Sequence, residues 1–469
     1  MNPSLSDGHD WIFSRIPPTD LRNLRPSVGP PVPCGVTNSQ AWIERDRARV
    51  WHGFTQMGSY AENNPIIVER AEGRELIDVD GRRYLDAISS LWVTTLGHHV
   101  PELDEALAAQ AAKIAHSTLL GNGNTTAIEL AEALGRVVPV DDPRFLFASD
   151  GASAIEQAIK IAFQFWWNQG ASERTAYLTL GGAYHGDSVG ALSLGAGGFG
   201  TDLFDPLRFA GVIRSAGYDD PEWLADALDA LARHQESLAA VVIEPLVQGA
   251  AGMLLATPDD IRQLAAACHA AGVLLVCDEV ATGFGRTGAL FASELCGVRP
   301  DIMCIGKGIT GGYLPLSATV ASGRVADAFV GEDLGPATLY HGHSYSGNAL
   351  ASAVALRHLA LFDELEVLAN VTDRTAQLRA RLEQDVAPLE SVGAIRQQGL
   401  MVGIEMAPPT DGLRWGRRIC AASVDRGVLL RPLGDVVVLM PILTSTADEI
   451  DRIVDVLVES IDTVCRLEP

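Results

Sequence analysis

The spacing of hydrophobic and polar residues predicts short strands and then a helix near the start of the chain. Residues 65–88 form short β-like runs broken at the dipeptides EG and DG, a pattern typical of strands joined by tight turns. An alanine-rich stretch over 101–117 begins at Pro101 and favours a long helix, because apolar residues recur there at helical spacing. These apolar residues are Leu103, Leu107, Ala111 and Ile114.

The middle and the end of the chain have different patterns. Between about residues 126 and 330, helical stretches alternate with β-rich runs, which predicts an α/β domain with a mostly parallel sheet. The runs are FLFAS, AYLTL, AAVVIEP, VLLVCDE, IMCIG and SATVAS. After about residue 356, a helix over 357–384, three short strands and a last helix over 446–467 predict a smaller α+β domain.

The domain organisation follows from these changes in pattern. Residues 1–45 are rich in proline and predict either an extended arm over the body or a partner subunit, or a disordered tail. The rest is predicted to divide into an N-terminal part of the small domain (46–95), a large ligand-binding domain (96–355) and a C-terminal small domain (356–469).

Composition excludes several classes of protein. With 35 Lys+Arg against 59 Asp+Glu the net charge is −24, which argues against nucleic acid and anionic membranes as partners. No apolar run approaches the ~18 residues of a membrane span, and the first 20 residues do not resemble a secretory signal. The seven cysteines lack CxxC spacing, which predicts reduced thiols in a cytoplasmic protein.

The three lysines narrow the search for amine chemistry. Lys113 and Lys160 fall within predicted helices, and Lys160 has Glu156 as a predicted partner four residues before it, so both favour ordinary surface roles. Lys307 differs because it follows the strand run IMCIG and has glycine on both sides, which lets backbone and ligand approach closely. Lys307 is therefore the candidate functional amine.

Two further candidates lie where predicted strands end. Asp278 closes the apolar run VLLVCDE, where it could pair with a cationic ligand atom or be a solvated strand end. Gly151 and Ala152 lie between a strand and a helix, and a helix start offers free N–H groups to a phosphate. The apolar stripe of this helix is Ile155, Ile159, Ala162, Phe163 and Trp166.

Together these groups suit pyridoxal 5′-phosphate. Its aldehyde would react with Lys307, its pyridine nitrogen would pair with Asp278, and its phosphate would bind at the start of the helix. The aromatic face of the cofactor needs a cover, and Tyr184 in GGAYHGD is suited to that.

Two other motifs favour other chemistry only weakly. GAGGFG (195–200) satisfies the nicotinamide-dinucleotide pattern, with Asp219 about 20 residues on, but Pro206 and the absence of a helical stripe argue against that fold. HGH (341–343) lacks a third metal ligand, so no metal is predicted.

Four segments make the sequence resemble the class III, fold-type I pyridoxal-phosphate aminotransferases. They are YHGD (184–187), IEPLVQGAAGM (243–253), DEVATGFGRTG (278–288) and GKGITGGYLPLSAT (306–319). The resemblance runs from about residue 50 to the end of the chain. It implies a large α/β domain with a mostly parallel central sheet that binds the cofactor, a smaller α+β domain and a homodimer.

Within that class, five segments resemble the enzymes of biotin synthesis that convert 8-amino-7-oxononanoate to 7,8-diaminononanoate. They are WHGFTQM (51–57), SSLWV (89–93), AHSTLLG (115–121), HGHSYSGN (341–348) and LLRPLG (429–434). The resemblance implies a small-molecule amino donor, S-adenosylmethionine or lysine, and a ketone acceptor. The alternative is a class III omega- or amine transaminase of secondary metabolism with another acceptor.

The resemblance also implies a role for each matching residue. Lys307 would be the Schiff-base lysine and proton shuttle, Asp278 the partner of the ring nitrogen, and Tyr184 the ring cover in contact with substrate. Phosphate would contact Gly151 and Ala152. Further cofactor contacts are implied for Glu244, Gln248 and, from the neighbouring subunit, His343 and Ser344. Substrate contacts are implied for Phe54, Leu91, Trp92, Tyr184, Gly342 and Arg431, the last through the substrate carboxylate.

Two departures from the family pattern bear on the substrate. Some members have a second tryptophan where this chain has Leu91, and some have tyrosine where it has Phe54. Both changes alter pocket shape and hydrogen bonding and so can shift donor preference. An aminomutase, a nicotinamide oxidoreductase and a non-catalytic binding protein are the remaining alternatives.

Overall fold

The computed structural model describes residues 38–197 and 200–466. Within them the chain divides into two compact units, residues 38–69 with 78–81, and residues 70–77 with 82–466. In the first unit the Asp46 carboxylate accepts the Tyr60 hydroxyl at 2.7 Å and lies 2.9 Å from His52 Nε2. The predicted N-terminal arm lies almost wholly outside the described residues.

Fourteen helices are found in the described residues, and α2 is a left-handed turn. They are α1 Asn38–Arg47, α2 Ser89–Trp92, α3 Pro101–Ala111, α4 Thr125–Gly135, α5 Gly151–Asn168, α6 Val189–Leu194, α7 Trp223–His234, α8 Pro258–Ala270, α9 Ala292–Cys296, α10 Gly323–Asp327, α11 Ala349–Glu364, α12 Val367–Arg381, α13 Trp415–Asp425 and α14 Ala447–Arg466. Short 3₁₀ turns add Met57–Ser59, Asp202–Leu207 and Lys307–Thr310, and a π-turn adds Leu382–Val386.

Seventeen strands accompany these helices in the same part of the chain. They are β1 Val68–Glu72, β2 Glu75–Asp78, β3 Arg83–Asp86, β4 Arg144–Ala148, β5 Ala176–Leu180, β6 Val212–Ser215, β7 Leu238–Ile243, β8 Val247–Gln248, β9 Leu254–Leu255, β10 Leu274–Asp278, β11 Ile302–Ile305, β12 Ser317–Ala321, β13 Val392–Gln398, β14 Met401–Met406, β15 Val428–Leu429, β16 Arg431–Leu433 and β17 Val436–Leu439.

The central sheet confirms the predicted α/β class. Its seven strands lie in the order β4-β12-β11-β10-β7-β5-β6. The pairs β10–β11, β10–β7, β5–β7 and β5–β6 are parallel, and only β12 runs against its neighbours. β7 and β10 are buried at every residue, as expected of parallel strands covered on both faces. The sequence pattern missed β6, a short edge strand.

The C-terminal region forms a separate antiparallel sheet, ordered β13-β14-β17-β16. Its buried face shares a core with α12, α13 and α14. A third sheet joins segments that are distant in sequence, because β15 pairs in parallel with β3, Val428 opposite Leu85. β3 and β15 thus belong to one sheet although they are far apart in sequence, and the predicted small domain stays a prediction.

Two predicted helices differ from the structure. The stretch 357–384 is two helices, since Glu366 adopts a φ of +47° between α11 and α12. The helix that begins at Pro101 ends at Ala111, and the buried Gln110 side chain donates to the Ile114 carbonyl at 3.0 Å where the chain leaves the helix. Ile114 is therefore 46% exposed rather than part of the apolar face.

Two predictions on α5 are also wrong. Phe163 is 41% exposed instead of lying in the apolar stripe. Glu156 does not pair with Lys160; its Oε1 accepts the Ser188 hydroxyl at 2.7 Å and the Gly190 N–H at 2.8 Å, at the start of α6. Lys160 is exposed and lies 3.2 Å from His341 Nδ1. Glu156 thus caps α6 instead of forming the expected ion pair with Lys160.

No helix among the described residues is long and apolar enough to cross a membrane.

We expect Leu103→Ala to destabilise the protein and Ile114→Ala to leave stability almost unchanged. Leu103 is 0% exposed, so its truncation leaves a cavity costing about 2–5 kcal/mol, whereas Ile114 already contacts solvent. Thermal and denaturant unfolding of both variants measure the difference. Equal losses would contradict the end of α3 at Ala111.

Candidate functional site

The central sheet brings Lys307 and Asp278 to the same edge. β10 and β11 are neighbouring parallel strands, with Asp278 opposite Cys304. Asp278 is the last residue of β10, and Lys307 follows the end of β11 by two residues. The carboxyl edge of a parallel sheet is where α/β proteins bind ligands. Two residues singled out for their chemistry therefore lie beside each other.

Lys307 occupies a tightly packed, strained position. Its φ is +41°, and a Cβ on the neighbouring Gly308 would lie 2.9 Å from Phe284 Cβ, so glycine is required there. The Lys307 Nζ lies 5.1 Å from the centre of the Trp92 ring. Burial lowers the pKa of this amine, although the charges of Asp278 and Glu244 oppose the shift. A lower pKa increases the neutral, nucleophilic fraction.

The Asp278 carboxylate is held by two contacts. It is 5% exposed, and its Oδ2 lies 2.7 Å from His185 Nδ1 while Oδ1 accepts the Val280 N–H at 3.0 Å. Burial lowers the pKa of His185, but the bond to Asp278 and the charge of Glu244 outweigh burial and raise it overall. His185 Nε2 is buried with no hydrogen-bond partner among the described residues.

The start of α5 packs against the same edge. A Cβ on Gly151 would lie 2.6 Å from Val280 Cγ1, and a Cβ on Gly186 would lie 2.5 Å from Ala152 Cβ. Asp150 caps the helix, its Oδ1 accepting the Ser153 N–H at 2.8 Å. The first N–H groups of a helix have no intrahelical acceptor, so those of Gly151 and Ala152 can serve an anion.

Glu244 follows β7 and links two loops of the site. Its Oε1 accepts the Tyr184 N–H at 3.1 Å and its Oε2 accepts the Gly249 N–H at 3.2 Å. Burial raises the pKa of Glu244 to about 7, helped by the nearby Asp278 and opposed by His185. Glu244 is therefore a carboxyl group that can change its charge near neutral pH.

Tyr184 and Gln248 flank Glu244. The Tyr184 hydroxyl donates to Asp187 Oδ2 at 2.8 Å, and burial raises its pKa. The side-chain amide of Gln248 forms hydrogen bonds with backbone groups. Its Nε2 donates to the Gly181 carbonyl at 2.8 Å, and its Oε1 accepts the Tyr218 N–H at 3.4 Å. Tyr184 thus has a fixed orientation, while Gln248 chiefly braces the neighbouring loop.

The residues predicted to bind substrate lie in several places. Trp92 is 7% exposed beside Lys307, and the adjacent Leu91 is 48% exposed. Arg431 begins β16, and its charge lowers the pKa of Tyr184 against the larger effect of burial. Its guanidinium has no carboxylate within 4.0 Å in the described part of the chain, although acidic residues are abundant. Phe54 belongs to the first unit and is 69% exposed.

The 341–348 loop contacts a different segment. The Ser344 carbonyl accepts from His116 Nε2 at 2.8 Å, and His343 Nδ1 accepts the Tyr345 N–H at 3.2 Å. Gly342 is exposed. The contribution of this loop to a neighbouring subunit stays a prediction.

Two residues of the site were not singled out in the sequence. His185 and Asp187 lie on either side of Gly186 in the YHGD segment, and their polar side chains beside a tyrosine were the available signal. The GAGGFG segment follows α6 and precedes a short 3₁₀ turn, with residues 198–199 outside the described range. It therefore lacks the strand before and the helix after that dinucleotide binding needs.

Comparison with known proteins identifies the family. The Aminotransferase class-III family matches residues 57–461. The adenosylmethionine-8-amino-7-oxononanoate aminotransferase of Nitratidesulfovibrio vulgaris is 43% identical over 90% of this chain and 82% of its own. The crystal structure of the enzyme of that name from Methanocaldococcus jannaschii matches with a TM-score of 0.88 and 38% identity, over 91% of this chain and 99% of that one.

A third similar protein is an amine transaminase from an uncultivated Pseudomonas species, solved in its PLP-bound form. It has a TM-score of 0.83 and 32% identity, over 88% of this chain and 98% of that one. The chain belongs to the class III aminotransferases, and it is a transaminase with the fold-type I architecture.

Replacing Glu244 with glutamine should flatten the pH dependence of stability. Between the ordinary carboxyl pKa of 4.5 and the folded value of about 7, the folded state keeps a proton that the unfolded state has lost. Stability of the natural chain should therefore fall as pH rises through this window. The glutamine variant should lack this slope. Thermal unfolding from pH 4.5 to 8 tests it, and equal slopes would contradict the raised pKa.

Proposed function

We propose that this protein transfers an amino group to 8-amino-7-oxononanoate with bound pyridoxal 5′-phosphate, forming 7,8-diaminononanoate. The observation that carries the chemistry is that Lys307 and Asp278 follow neighbouring parallel strands at one sheet edge. The choice of substrate is supported by relatives named adenosylmethionine-8-amino-7-oxononanoate aminotransferase, which are 34–43% identical to this chain over most of their length. A homodimer and a cytoplasmic location remain part of the proposal.

The groups at the site fit this cofactor. A half-buried amine of lowered pKa, a buried carboxylate and the first N–H groups of a helix match an aldehyde, a pyridine nitrogen and a phosphate. Lys307, Asp278 and the N–H groups of Gly151 and Ala152 would hold these three parts. When bound, pyridoxal phosphate supplies an electron sink for the carbanion formed as a substrate C–H bond ionises.

The residues of this chain then have separate roles. The Lys307 amine accepts and returns the substrate proton, and the Trp92 ring lies 5.1 Å from it. Asp278, oriented by His185, keeps the cofactor nitrogen protonated. Arg431, which has no carboxylate within 4.0 Å among residues 38–197 and 200–466, binds the carboxylate of the acceptor.

The amino donor is the open part of the specificity. S-adenosylmethionine and lysine are the proposed donors, and Leu91 and Phe54 are the departures expected to decide between them. Leucine is smaller than an indole and phenylalanine lacks the hydroxyl of tyrosine, so both changes can alter pocket shape and hydrogen bonding. A donor panel with 8-amino-7-oxononanoate, analysed by mass spectrometry, tests the assignment. No turnover with any donor would exclude this acceptor while leaving the transaminase class intact.

Lys307→Ala should lower the rate of amino transfer by about 10²–10⁴-fold or more, because the amine moves the proton. Borohydride reduction of the natural holoenzyme should leave a pyridoxyl group on the Lys307 peptide. Lys160→Ala is the control, since that exposed lysine should be replaceable without loss. A pyridoxyl adduct on another lysine, or none, would exclude the assigned amine.

Arg431→Gln should raise KM for the acceptor roughly 10- to 100-fold, because a charge-assisted hydrogen bond is worth about 1.5–3 kcal/mol. Binding of the cofactor, followed by its absorbance, should not change. The matched control is Arg233→Gln, an exposed arginine on α7. An unchanged KM in the Arg431 variant would contradict a contact with the acceptor carboxylate.

A further inference from the structure

The turn that carries Leu91 and Trp92 has a costly backbone. All four residues of α2 have positive φ: Ser89 50°, Ser90 46°, Leu91 71° and Trp92 70°. None is glycine, so each adopts a left-handed conformation at a cost of about 1–2 kcal/mol. A strained segment of this kind persists only when its surroundings hold it firmly.

The Asp86 carboxylate is the centre of the contacts that hold this turn. Asp86 is 1% exposed, and its Oδ1 accepts the Ser90 N–H at 3.0 Å and the Ile88 N–H at 3.4 Å. Its Oδ2 accepts the Ser90 hydroxyl at 2.7 Å and lies 2.9 Å from His98 Nε2. Four polar groups thus converge on one buried side chain, and two of them belong to Ser90.

The turn is also fixed at both of its ends. The Ser89 hydroxyl donates to the Met440 carbonyl at 2.7 Å. The Trp92 N–H donates to the Ile88 carbonyl at 2.9 Å, and the Val93 N–H to the Ser89 carbonyl at 2.9 Å. None of these contacts involves the Trp92 side chain itself.

The handedness of the turn decides where the two side chains at its end go. Leu91 faces solvent at 48% exposure, whereas Trp92 is 7% exposed and its ring lies 5.1 Å from Lys307 Nζ. The ring packs so closely on Gly249 that a Cβ there would lie 3.2 Å from it. Relaxation of the turn to a right-handed form would redirect both side chains and remove the cover from the Lys307 amine.

We propose that Asp86 is a positioning residue for amino transfer: by holding the left-handed turn Ser89–Trp92, it keeps Trp92 against Lys307 and shapes the binding of the acceptor. The inference rests on the proposed function for its kinetic consequence, but its conformational part concerns the chain alone. Asp86 contacts neither Lys307 nor Trp92 directly; it acts through Ser90.

Two substitutions at Ser90 separate the conformation from the hydrogen bond. Ser90→Ala and Ser90→Gly both remove the hydroxyl that donates to Asp86, but only glycine adopts positive φ readily. We expect the alanine variant to have an acceptor KM about tenfold above that of the glycine variant. Asp86→Asn should raise KM as well, and adding Ser90→Gly to it should recover part of the loss.

Hydrogen exchange gives a readout that needs no substrate. The amides of Trp92, Val93 and Thr94 donate back into the turn, so their exchange in the holoenzyme reports its opening. Exchange should be faster in Ser90→Ala than in Ser90→Gly by about the same factor as KM. As the matched control, Ser423 lies in the right-handed helix α13 and its hydroxyl is also buried. There the order should reverse, with alanine more stable than glycine.

Equal KM and equal exchange in the two Ser90 variants would overturn the proposal. So would a lower unfolding temperature in Asp86→Asn with unchanged KM in the folded enzyme, since that is a purely structural effect. If the natural enzyme does not turn over 8-amino-7-oxononanoate, the proposed substrate fails. Hydrogen exchange of the Trp92, Val93 and Thr94 amides in Asp86→Asn still decides whether Asp86 holds the turn: it should be faster than in the natural holoenzyme, and equal exchange would overturn that role.

Discussion

The parallel register between β10 and β11 is the constraint on which the rest of the site depends. It places the end of a wholly buried strand, Asp278, beside the loop that begins with Lys307. A charged group at such a place needs compensation, which His185 supplies at 2.7 Å. The packing of Gly151 under Val280 follows from the same register, because Val280 comes two residues after Asp278. The order of the strands thus brings the Lys307 amine, the Asp278 carboxylate and the start of α5 to the same edge of the sheet.

Around this fixed edge the backbone is less regular. Trp92 reaches Lys307 from a left-handed turn that contains no glycine, and Lys307 itself has positive φ. Such conformations are unfavourable for residues with a Cβ and are maintained by buried polar contacts, as at Asp86. The sheet thus locates the reacting groups, while the strained turn adjusts what surrounds them.

Sequence patterns predicted the regular parts of this protein well. The alternation of apolar runs predicted the central sheet, and glycine on both sides of Lys307 indicated its special place. The local patterns could not predict interactions that depend on distant segments. Glu156 was assigned to Lys160 by helical spacing, yet it caps α6 because the fold brings Ser188 and Gly190 to it. The turn Ser89–Trp92 likewise has a distant contact, since the Ser89 hydroxyl donates to the Met440 carbonyl.

The pairing of β15 with β3 has a consequence for how the protein is made. Leu85 finds its parallel neighbour Val428 only near the end of the chain, and the Ser89 hydroxyl bonds a carbonyl 351 positions later. During synthesis the growing chain therefore carries β3 and the Trp92 turn without these partners. Contacts so distant in sequence form slowly and leave strand edges open meanwhile. A ribosome-bound chain that stops before Val428 holds every strand of the central sheet but lacks the partners of β3 and of the Ser89 hydroxyl.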